Sequence, residues 1–398
     1  MRIGIDASRA NLAQRTGTEW YAFHLTRAFF AYLRPNDEVF LYVKEPLRPE
    51  WGTLPENVHV RVLGWPPRLL WTQFRLAWEQ LWHRVDVLFV PAHTIPFISP
   101  RRTVTTLHDI GFMHAEQLYG TANIATSKKW LLNALVRIFT LGRYGATELD
   151  YHRFSAKLAL RRCSTVLTVS EYSKQDICTT FHINPARIHV IPNAYDRTSF
   201  NQSVRKDLER IASAQKQVGV HQPYLMTIGR IEKKKNTLGL VQAFARLREQ
   251  QQFAKLQLLL VGASGFGADE VRAACEQLGI AADVVQPGWL PEALIPPLMA
   301  GAEVFILPSF FEGFGIPIIE AMAVGTPVVC SNVTSLPEVA GGAAELIDPL
   351  RSQSLLDGIA QVASNPARGE ELRERGYLRA ASFSWASSAK LLAAALLQ

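Results

Sequence analysis

The chain has 398 residues, which is enough for two domains of ordinary size. Its content of 48% hydrophobic and 19% charged residues excludes an intrinsically disordered protein. The formal charge of +7 favours a negatively charged partner, such as a nucleic acid, an anionic membrane or a phosphate-bearing substrate. The four cysteines are scattered without metal-ligand spacing, as expected of small core residues in a reducing compartment.

The sequence shows neither a targeting segment nor a membrane span. Residues 1–7 are too few and too charged for a signal peptide, and they predict a first strand. No stretch reaches the roughly 18 consecutive apolar residues that a spanning helix needs. We therefore expect a protein that is soluble or lies on a membrane without crossing it.

Short apolar runs alternate with helical patterns along the first half of the chain. Strands are predicted at 2–6, 39–43, 58–63, 86–91, 104–107, 165–170 and 188–192. Apolar residues at helical spacing predict a helix over 19–33, directly after a small-residue loop that ends near Gly17. This strand, loop and helix are typical of an α/β unit.

Two segments of this half combine basic residues with aromatic or apolar residues at helical spacing. Residues 68–84 contain three tryptophans and several basic residues, a pattern that fits either core packing or contact with lipid headgroups. Residues 128–141 begin with two lysines and predict an amphipathic helix that could pack on the first domain or rest on a membrane. The residues alone leave both alternatives open for each segment.

The strand–helix alternation restarts in the second half. Residues 197–223 are polar and lack a strand pattern, so we interpret them as the interdomain linker and the start of the second domain. Further strands are predicted at 224–228, 256–261, 284–286, 304–307, 327–330 and 344–347. Two successive alternations of comparable length predict an α/β protein with two doubly wound, Rossmann-like domains facing each other across a cleft.

The stretch 307–327 predicts a strand, a glycine-rich loop, a short helix and another strand. Pro317 suits the start of the helix, and Gly325 suits the position just past its end. A glycine-rich loop at a helix N-terminus offers backbone N–H groups to an anion. Glu312 and Glu320 frame this loop, and carboxylates accept hydrogen bonds from hydroxyl groups. The pattern favours a nucleotide sugar as ligand, although an ordinary loop with solvated glutamates also fits it.

Residues 312–323 resemble the Glu-seven-residues-Glu motif of the retaining glycosyltransferases of family 4, which have the GT-B fold. Residues 331–341 resemble the segment that follows this motif in the family. The chain departs from the family at Ala194, where a glycine usually follows the asparagine that is Asn193 here. The resemblance implies an acceptor-side domain over 1–200 and a donor-binding domain over 201–384. The last helix, 385–398, would pack back on the first domain.

The resemblance also implies roles for individual residues. The expected catalytic residues are His108, Arg230, Lys235 and Glu312. The expected donor-binding residues are Gly17, Asp109, Arg230, Lys235, Glu312, Gly313, Phe314, Gly315 and Glu320.

Position along the chain supports several of these roles independently of the resemblance. His108 follows a predicted strand, and ligands of open α/β sheets gather beyond the carboxyl ends of strands. Arg230 and Lys235 follow the predicted strand at 224–228. A departing nucleoside diphosphate gains negative charge, and the chain lacks the Asp-x-Asp motif with which many transferases hold a divalent metal. Fixed cations can replace the metal, so we expect no metal site.

The combined expectation is a retaining, metal-independent hexosyltransferase without a cofactor. By resemblance to bacterial mannosyltransferases of polysaccharide assembly, GDP-mannose is the first candidate donor. The expected acceptor is a saccharide or lipid-linked saccharide of cell-surface polysaccharide synthesis. Front-face attack would let the departing phosphate take the acceptor's proton. We expect a cytoplasmic protein that could contact the anionic inner face of the plasma membrane and that does not bind nucleic acid.

Two alternatives remain open at this point, and a third is disfavoured. The first is a soluble glucosyltransferase that acts on a sugar or a sugar phosphate. The second is a non-catalytic nucleotide-sugar-binding protein. A dinucleotide oxidoreductase is disfavoured, because residues 5–18 lack the Gly-x-Gly-x-x-Gly pattern that such a protein needs after its first strand.

Overall fold

The computed structural model describes residues 1–64, 71–119, 147–221 and 223–397. They form two compact units. The first unit extends from Met1 to Ala194, apart from Gln117–Tyr119, and also includes Ser384–Gln398. The second unit comprises Tyr195–Phe383 together with Gln117–Tyr119. The predicted segment 128–141 and the start of the segment 68–84 lie outside the described residues.

A parallel sheet of seven strands forms the centre of the first unit, as far as the structure describes it. Its strands are β1 (Arg2–Asp6), β2 (Glu38–Val43), β3 (Val58–Val62), β4 (Val87–Val90), β5 (Arg102–Thr106), β6 (Thr165–Thr168) and β7 (Ile188–Val190). Its described helices before residue 195 are α1 (Gly17–Phe29), α2 (Trp71–Trp82), α3 (Glu148–Arg162) and α4 (Glu171–Phe181). The strand order is β3-β2-β1-β4-β5-β6-β7, so the direction of winding reverses between β1 and β4.

The second unit contains a parallel sheet of six strands within the described ranges. Its strands are β8 (Tyr224–Ile228), β9 (Gln257–Val261), β10 (Val284–Gly288), β11 (Val304–Leu307), β12 (Val328–Ser331) and β13 (Glu345–Ile347). Its helices are α5 (Gln202–Lys206), α6 (Leu208–Val218), α7 (Thr237–Arg248), α8 (Ala268–Gln277), α9 (Ile295–Gly301), α10 (Ile316–Val324), α11 (Leu336–Ala340), α12 (Ser352–Ala363) and α13 (Pro366–Ala381). The order β10-β9-β8-β11-β12-β13 reverses between β8 and β11.

The central strands are apolar because helices cover both faces of each sheet. All four residues of β4 and all four residues of β11 are buried. Strands that are buried on both faces are continuous hydrophobic runs rather than alternating patterns, which is why these strands could be predicted from short runs of Val, Ile, Leu and Phe. Each order reversal creates a crevice beyond the carboxyl ends of the strands, where ligands of such sheets bind.

The structure differs from the predicted linker at 197–223, where it contains the helices α5 and α6. Side chains cap both helices: the Asn201 amide oxygen accepts the N–H of Ser203, and the Asp207 carboxylate accepts the N–H of Arg210. The segment of α6 is mostly polar, and only a few of its apolar residues are buried. This polar composition hides the helical pattern in the sequence.

The last helix, α14 (Trp385–Leu397), packs within the first unit. The Tyr32 hydroxyl donates to the carbonyl of Ala386 at 3.0 Å, and the Trp385 ring stacks on His24 with 5.5 Å between centroids. The stretch Pro366–Leu397 is long and apolar enough to be considered as a membrane span by length and composition alone. It consists of two separate helices, α13 with 16 residues and α14 with 13, and each is shorter than the roughly 20 residues that span a bilayer.

Candidate functional site

Two loops meet beyond the carboxyl ends of β8 and β11, at the order reversal of the second unit. The loop after β8 carries Arg230 and Lys235, and the loop after β11 leads through Glu312 into α10. The Lys235 ammonium donates to Glu312 Oε1 at 2.6 Å. Two residues that the sequence assigns to ligand binding, 77 positions apart, therefore form an ion pair at the place where such a sheet binds ligands.

The Glu312 carboxylate is buried, with 7% of the residue exposed. The Ser309 hydroxyl donates to the same oxygen, Oε1, at 2.7 Å. Burial alone would raise the pKa of Glu312, but the positive charges of Lys235 and Lys234 and the two hydrogen bonds outweigh it and lower the pKa. The carboxylate is therefore ionised at neutral pH and can accept further hydrogen bonds.

Two residues of the loop before α11 hold the backbone of Glu312. Its N–H donates to Thr334 Oγ1 at 3.3 Å, and its carbonyl accepts the Ser335 hydroxyl at 2.9 Å. Thr334 has a φ of +57°, a left-handed conformation that is unusual for a β-branched residue. Such outliers concentrate at functional sites, where the surrounding contacts keep them in place. We call Ser309, Thr334 and Ser335 the hydroxyl clamp.

The sequence analysis did not identify the hydroxyl clamp. Ser309 is the third residue of the stretch 307–327, and Thr334 and Ser335 lie within the segment 331–341 that resembles the family. A serine or threonine in a loop is a weak signal by itself, because these residues are common in turns. Only the contacts with Glu312 distinguish them.

The glycine-rich loop enters α10 at Gly315, which has a φ of +96°. A Cβ atom there would lie 2.7 Å from Leu336 Cδ2, so glycine is required for both conformation and space. The side chain of Phe314 is buried, and its ring meets that of Phe383 edge-on at 5.5 Å. Phe314 can therefore offer only its backbone to a ligand.

Glu320, one turn into α10, differs from Glu312 in its charge state. The residue is half-buried, and its pKa is raised to about 8 by burial first, and then by the negative charges of Glu292 and Asp196. Its carboxyl group is therefore largely protonated at neutral pH.

The basic loop after β8 contains cations in different states. Arg230 is exposed, and within the part of the chain that the structure describes its guanidinium forms no ion pair or hydrogen bond. Its side chain lies over Gly265, where a Cβ atom would be 2.6 Å from Arg230 Cδ. Lys233 instead pairs with Glu270 at 2.6 Å and lies over the Phe266 ring. Arg230 is thus available to an anion, whereas the ammonium group of Lys233 is held by its contacts with Glu270 and Phe266.

The first unit places His108 and Asp109 beyond the carboxyl end of β5. His108 Nε2 lies 3.2 Å from the carbonyl oxygen of Pro91, and burial lowers the pKa of this imidazole. A carbonyl oxygen only accepts, so Nε2 carries the hydrogen and Nδ1 of the neutral ring is an acceptor. The Asp109 carboxylate accepts the N–H of Gly111 at 3.0 Å and shapes the loop.

Two further features lie in the first unit. Gly17 is the first residue of α1 and is exposed. A pair of histidines, which the sequence analysis did not identify, lies after β4 and on α3: His93 Nε2 is 2.8 Å from His152 Nδ1. Burial, followed by the charge of His152, holds the pKa of His93 well below its ordinary value.

Metal ligands do not cluster in the described residues. No group of three or more His, Cys, Asp or Glu side chains that could hold a metal ion occurs within residues 1–64, 71–119, 147–221 and 223–397. The cations that converge near Glu312 are side chains.

Comparison with known proteins decides the family. The model of Glycosyltransferase Family 4 matches residues 16–199, and that of Glycosyl transferases group 1 matches residues 210–379. The O-antigen chain mannosyltransferase B of Escherichia coli is 32% identical over 334 residues, which cover 82% of this chain and 80% of that protein. The chain belongs to glycosyltransferase family 4. The resemblance that the motif around Glu312 indicated is thereby confirmed, and the protein is a glycosyltransferase.

A further relative agrees with the family, and two solved structures share the fold. The MMP alpha-(1->4)-mannosyltransferase of Mycolicibacterium hassiacum is 32% identical over a region that covers 66% of this chain and 58% of that protein. The crystal structure of WaaG, a glycosyltransferase involved in lipopolysaccharide biosynthesis, has 16% identity and a TM-score of 0.71, with 100% of this chain and 99% of that chain covered. HepE of Anabaena has 20% identity and a TM-score of 0.71, with 99% and 98% covered. The predicted GT-B architecture of two Rossmann-like domains is confirmed.

The contact between Lys235 and Glu312 predicts a coupled effect on stability. Lys235→Met leaves a buried carboxylate without its cation, and we expect it to lower the free energy of unfolding by about 3–5 kcal/mol. Lys235→Met combined with Glu312→Gln removes both charges and should recover most of that loss. Chemical denaturation of the single and double variants measures both values.

Lys233→Met is the matched control for that cycle, because its partner Glu270 is largely exposed. We expect this change to alter stability by no more than about 1 kcal/mol. Equal stability of the Lys235→Met variant and the double variant would contradict a charge-compensating role for Lys235.

Proposed function

We propose that this glycosyltransferase transfers a hexose, with mannose as the first candidate, from a nucleoside-diphosphate sugar to a saccharide or lipid-linked saccharide acceptor in cell-surface polysaccharide synthesis. The contact of Lys235 with Glu312, beside the exposed Arg230, carries this proposal. One residue pair supplies a cation for phosphate and a carboxylate for sugar hydroxyls. A nucleotide sugar contains both groups at adjacent positions.

Fixed cations would stabilise the departing nucleoside diphosphate. The Lys235 ammonium has three N–H bonds, of which one is directed to Glu312, so others can reach a phosphate oxygen. Arg230 can bind phosphate through two N–H groups at once. Because these charges are already in place when negative charge develops, they lower the barrier without reorganisation. This is the basis on which we propose metal-independent transfer.

The two glutamates would contact different parts of the donor. Glu312 and the backbone amides of Gly313 to Gly315 would bind hydroxyl groups of the transferred sugar, and Glu320 would bind the ribose hydroxyls. The neutral ring of His108 offers Nδ1 as an acceptor for a hydroxyl of the sugar or the acceptor. We propose retention of configuration, with the departing phosphate taking the proton of the attacking hydroxyl. No protein nucleophile is then needed.

The choice of mannose rests on similar proteins. Two of them, each 32% identical to this chain, are mannosyltransferases by name, so GDP-mannose is the first candidate donor. A glucosyl donor is the second candidate, since an alpha-maltose-1-phosphate synthase of Mycolicibacterium smegmatis is 30% identical over 59% of this chain. The preferred donor distinguishes the two candidates.

Donor binding and transfer test the proposed function directly. We expect GDP-mannose to raise the melting temperature in the presence of EDTA, while UDP-glucose and ADP-glucose have little effect, because a ligand that binds only the native state stabilises it. A preference for UDP-glucose would replace mannose by glucose in the proposal. No shift with any sugar nucleotide, or a shift that needs Mg²⁺, would contradict metal-free donor binding.

Arg230→Ala tests the cationic stabilisation during turnover. Because Arg230 is exposed and unpaired within the described residues, we expect the variant to fold normally and to lose about 100-fold or more in kcat. Arg272→Ala is the matched control, since Arg272 forms an exposed ion pair with Asp269 on α8. Turnover of Arg230→Ala equal to that of the control would reject the role of Arg230.

The raised pKa of Glu320 leads us to expect a pH dependence of nucleotide binding. Its carboxyl group has a pKa of about 8 in the free protein, and hydrogen bonds from ribose hydroxyls favour the ionised form. Binding should therefore lower this pKa and release a proton. We expect the affinity for the nucleotide to rise with pH up to about 8 and to level off above it.

Calorimetry in two buffers of different ionisation enthalpy measures the proton release. In Glu320→Gln the group no longer titrates, so both the release and its share of the pH dependence should disappear. Proton uptake by the wild-type protein, or an unchanged release in Glu320→Gln, would show that Glu320 is not the group that responds to the nucleotide.

A further inference from the structure

Helix α2 of the first unit exposes large apolar residues and buries several polar ones. Its exposed residues are all large and apolar: Phe74 (43% exposed), Trp78 (60%), Leu81 (53%) and Trp82 (67%). Polar residues of the same helix are buried instead, namely Gln73, Glu79 and Gln80. A surface helix of a water-soluble protein normally turns its apolar side to the core and its polar side to water. The exposed side of α2 is therefore suited to a partner other than water.

Specific contacts fix α2 in this orientation. The buried Glu79 carboxylate pairs with Arg61 at 2.8 Å, with Arg75 at 3.2 Å and with His83 at 3.2 Å. The Gln73 amide donates to the hydroxyl of Tyr151 at 2.7 Å. Turning the helix to bury Trp78 and Trp82 would break these ion pairs and this hydrogen bond. The exposure of these two tryptophans is thus fixed by contacts within the unit.

The loop before β5 extends the apolar surface. Phe97 and Ile98 are exposed, and the Phe97 ring meets that of Phe74 edge-on at 5.2 Å. We define the aromatic face by its six residues, which are Phe74, Trp78, Leu81, Trp82, Phe97 and Ile98. Exposed apolar surface of this extent marks an interaction site.

Most of the charges around the aromatic face are positive. Among residues 71–86 and 97–102, the exposed residues outside the aromatic face are His83, Arg84, Asp86 and Arg101, and the Asp86 carboxylate accepts the backbone N–H of Arg2 at 2.7 Å. Arg162, also exposed, donates to the carbonyl of Phe97 at 2.6 Å. In these two ranges the acidic Glu79 is buried and already paired. The rim of the aromatic face is thus complementary to a negatively charged surface.

We propose that the aromatic face of α2 docks this glycosyltransferase on the surface of an anionic lipid bilayer. Tryptophan and phenylalanine side chains insert readily at the level of the lipid headgroups, where arginine side chains reach the phosphates. The negative surface potential of an anionic bilayer attracts each such cation further. The aromatic face thus matches the bilayer in polarity, and its rim matches the bilayer in charge. The inference is independent of the donor and concerns only where the protein lies.

Vesicle sedimentation of the full chain tests the proposal. We expect the protein to bind vesicles that contain phosphatidylglycerol, to bind phosphatidylcholine vesicles weakly, and to be released by added salt because the Arg attraction is screened. Trp78→Ser combined with Trp82→Ser should reduce the vesicle-bound to free ratio by about tenfold or more, since each buried tryptophan contributes substantially to binding. Hydrolysis of the sugar nucleotide without vesicles should not change.

Leu350→Ser combined with Leu378→Ser is the matched control, because both leucines are highly exposed and belong to the second unit. We expect this variant to bind vesicles like the wild type. Phe97→Ser combined with Ile98→Ser changes the loop of the aromatic face rather than the helix, and it should also weaken binding. This second variant keeps the test valid if the tryptophan variant folds poorly.

Three results would overturn the proposal. The first is a wild-type protein that does not sediment with phosphatidylglycerol vesicles. The second is equal binding of the tryptophan, loop and control variants. The third is a wild-type dimer in light scattering that the tryptophan substitutions dissociate, which would identify a second copy of the chain as the occupant. Donor-induced stabilisation is measured separately, so a failure of docking is distinguishable from a failure of the proposed function.

Discussion

The partly buried ion pair of Lys235 and Glu312 is the constraint on which the site of the second unit depends most. A buried carboxylate is unfavourable unless a cation and hydrogen-bond donors compensate it, and Glu312 receives both from different parts of the chain. The requirement brings the loop after β8 against the loop after β11. Ser335 adds a bond from the loop before α11 to the backbone of Glu312. Three loops of the sheet are thereby fixed around one carboxylate.

The two glutamates of the motif show how position alone determines charge. Glu312 lies beside lysines, and its pKa is lowered although burial opposes this change. Glu320 lies eight residues later on α10, where burial and two neighbouring carboxylates raise its pKa to about 8. Glu312 only accepts hydrogen bonds in the free protein, whereas Glu320 also has an O–H donor until it loses its proton. The same residue type can therefore serve two different hydroxyl-bearing parts of a ligand.

Much of the fold could be predicted from the sequence, because buried parallel strands appear as short apolar runs and the motif around Glu312 is long. The positions of Arg230 and His108 beyond strand ends could be predicted for the same reason. The contact of Lys235 with Glu312 could not, since it joins loops that are far apart in sequence. The helices α5 and α6 were missed because their composition is polar. The sequence of α2 left core packing and membrane contact open, and only the orientation of the helix shows that Trp71 is buried whereas Trp78 and Trp82 are exposed.

Selectivity for a diphosphate over a monophosphate tests the central claim most directly. If Arg230 and Lys235 bind a nucleotide pyrophosphate, calorimetry in EDTA should show that wild-type protein binds GDP at least about tenfold more tightly than GMP, in line with the strength of charge-assisted hydrogen bonds. Arg230→Gln should reduce this ratio while leaving GMP affinity nearly unchanged. An equal affinity for GDP and GMP, or the same ratio in Arg230→Gln, would contradict the account.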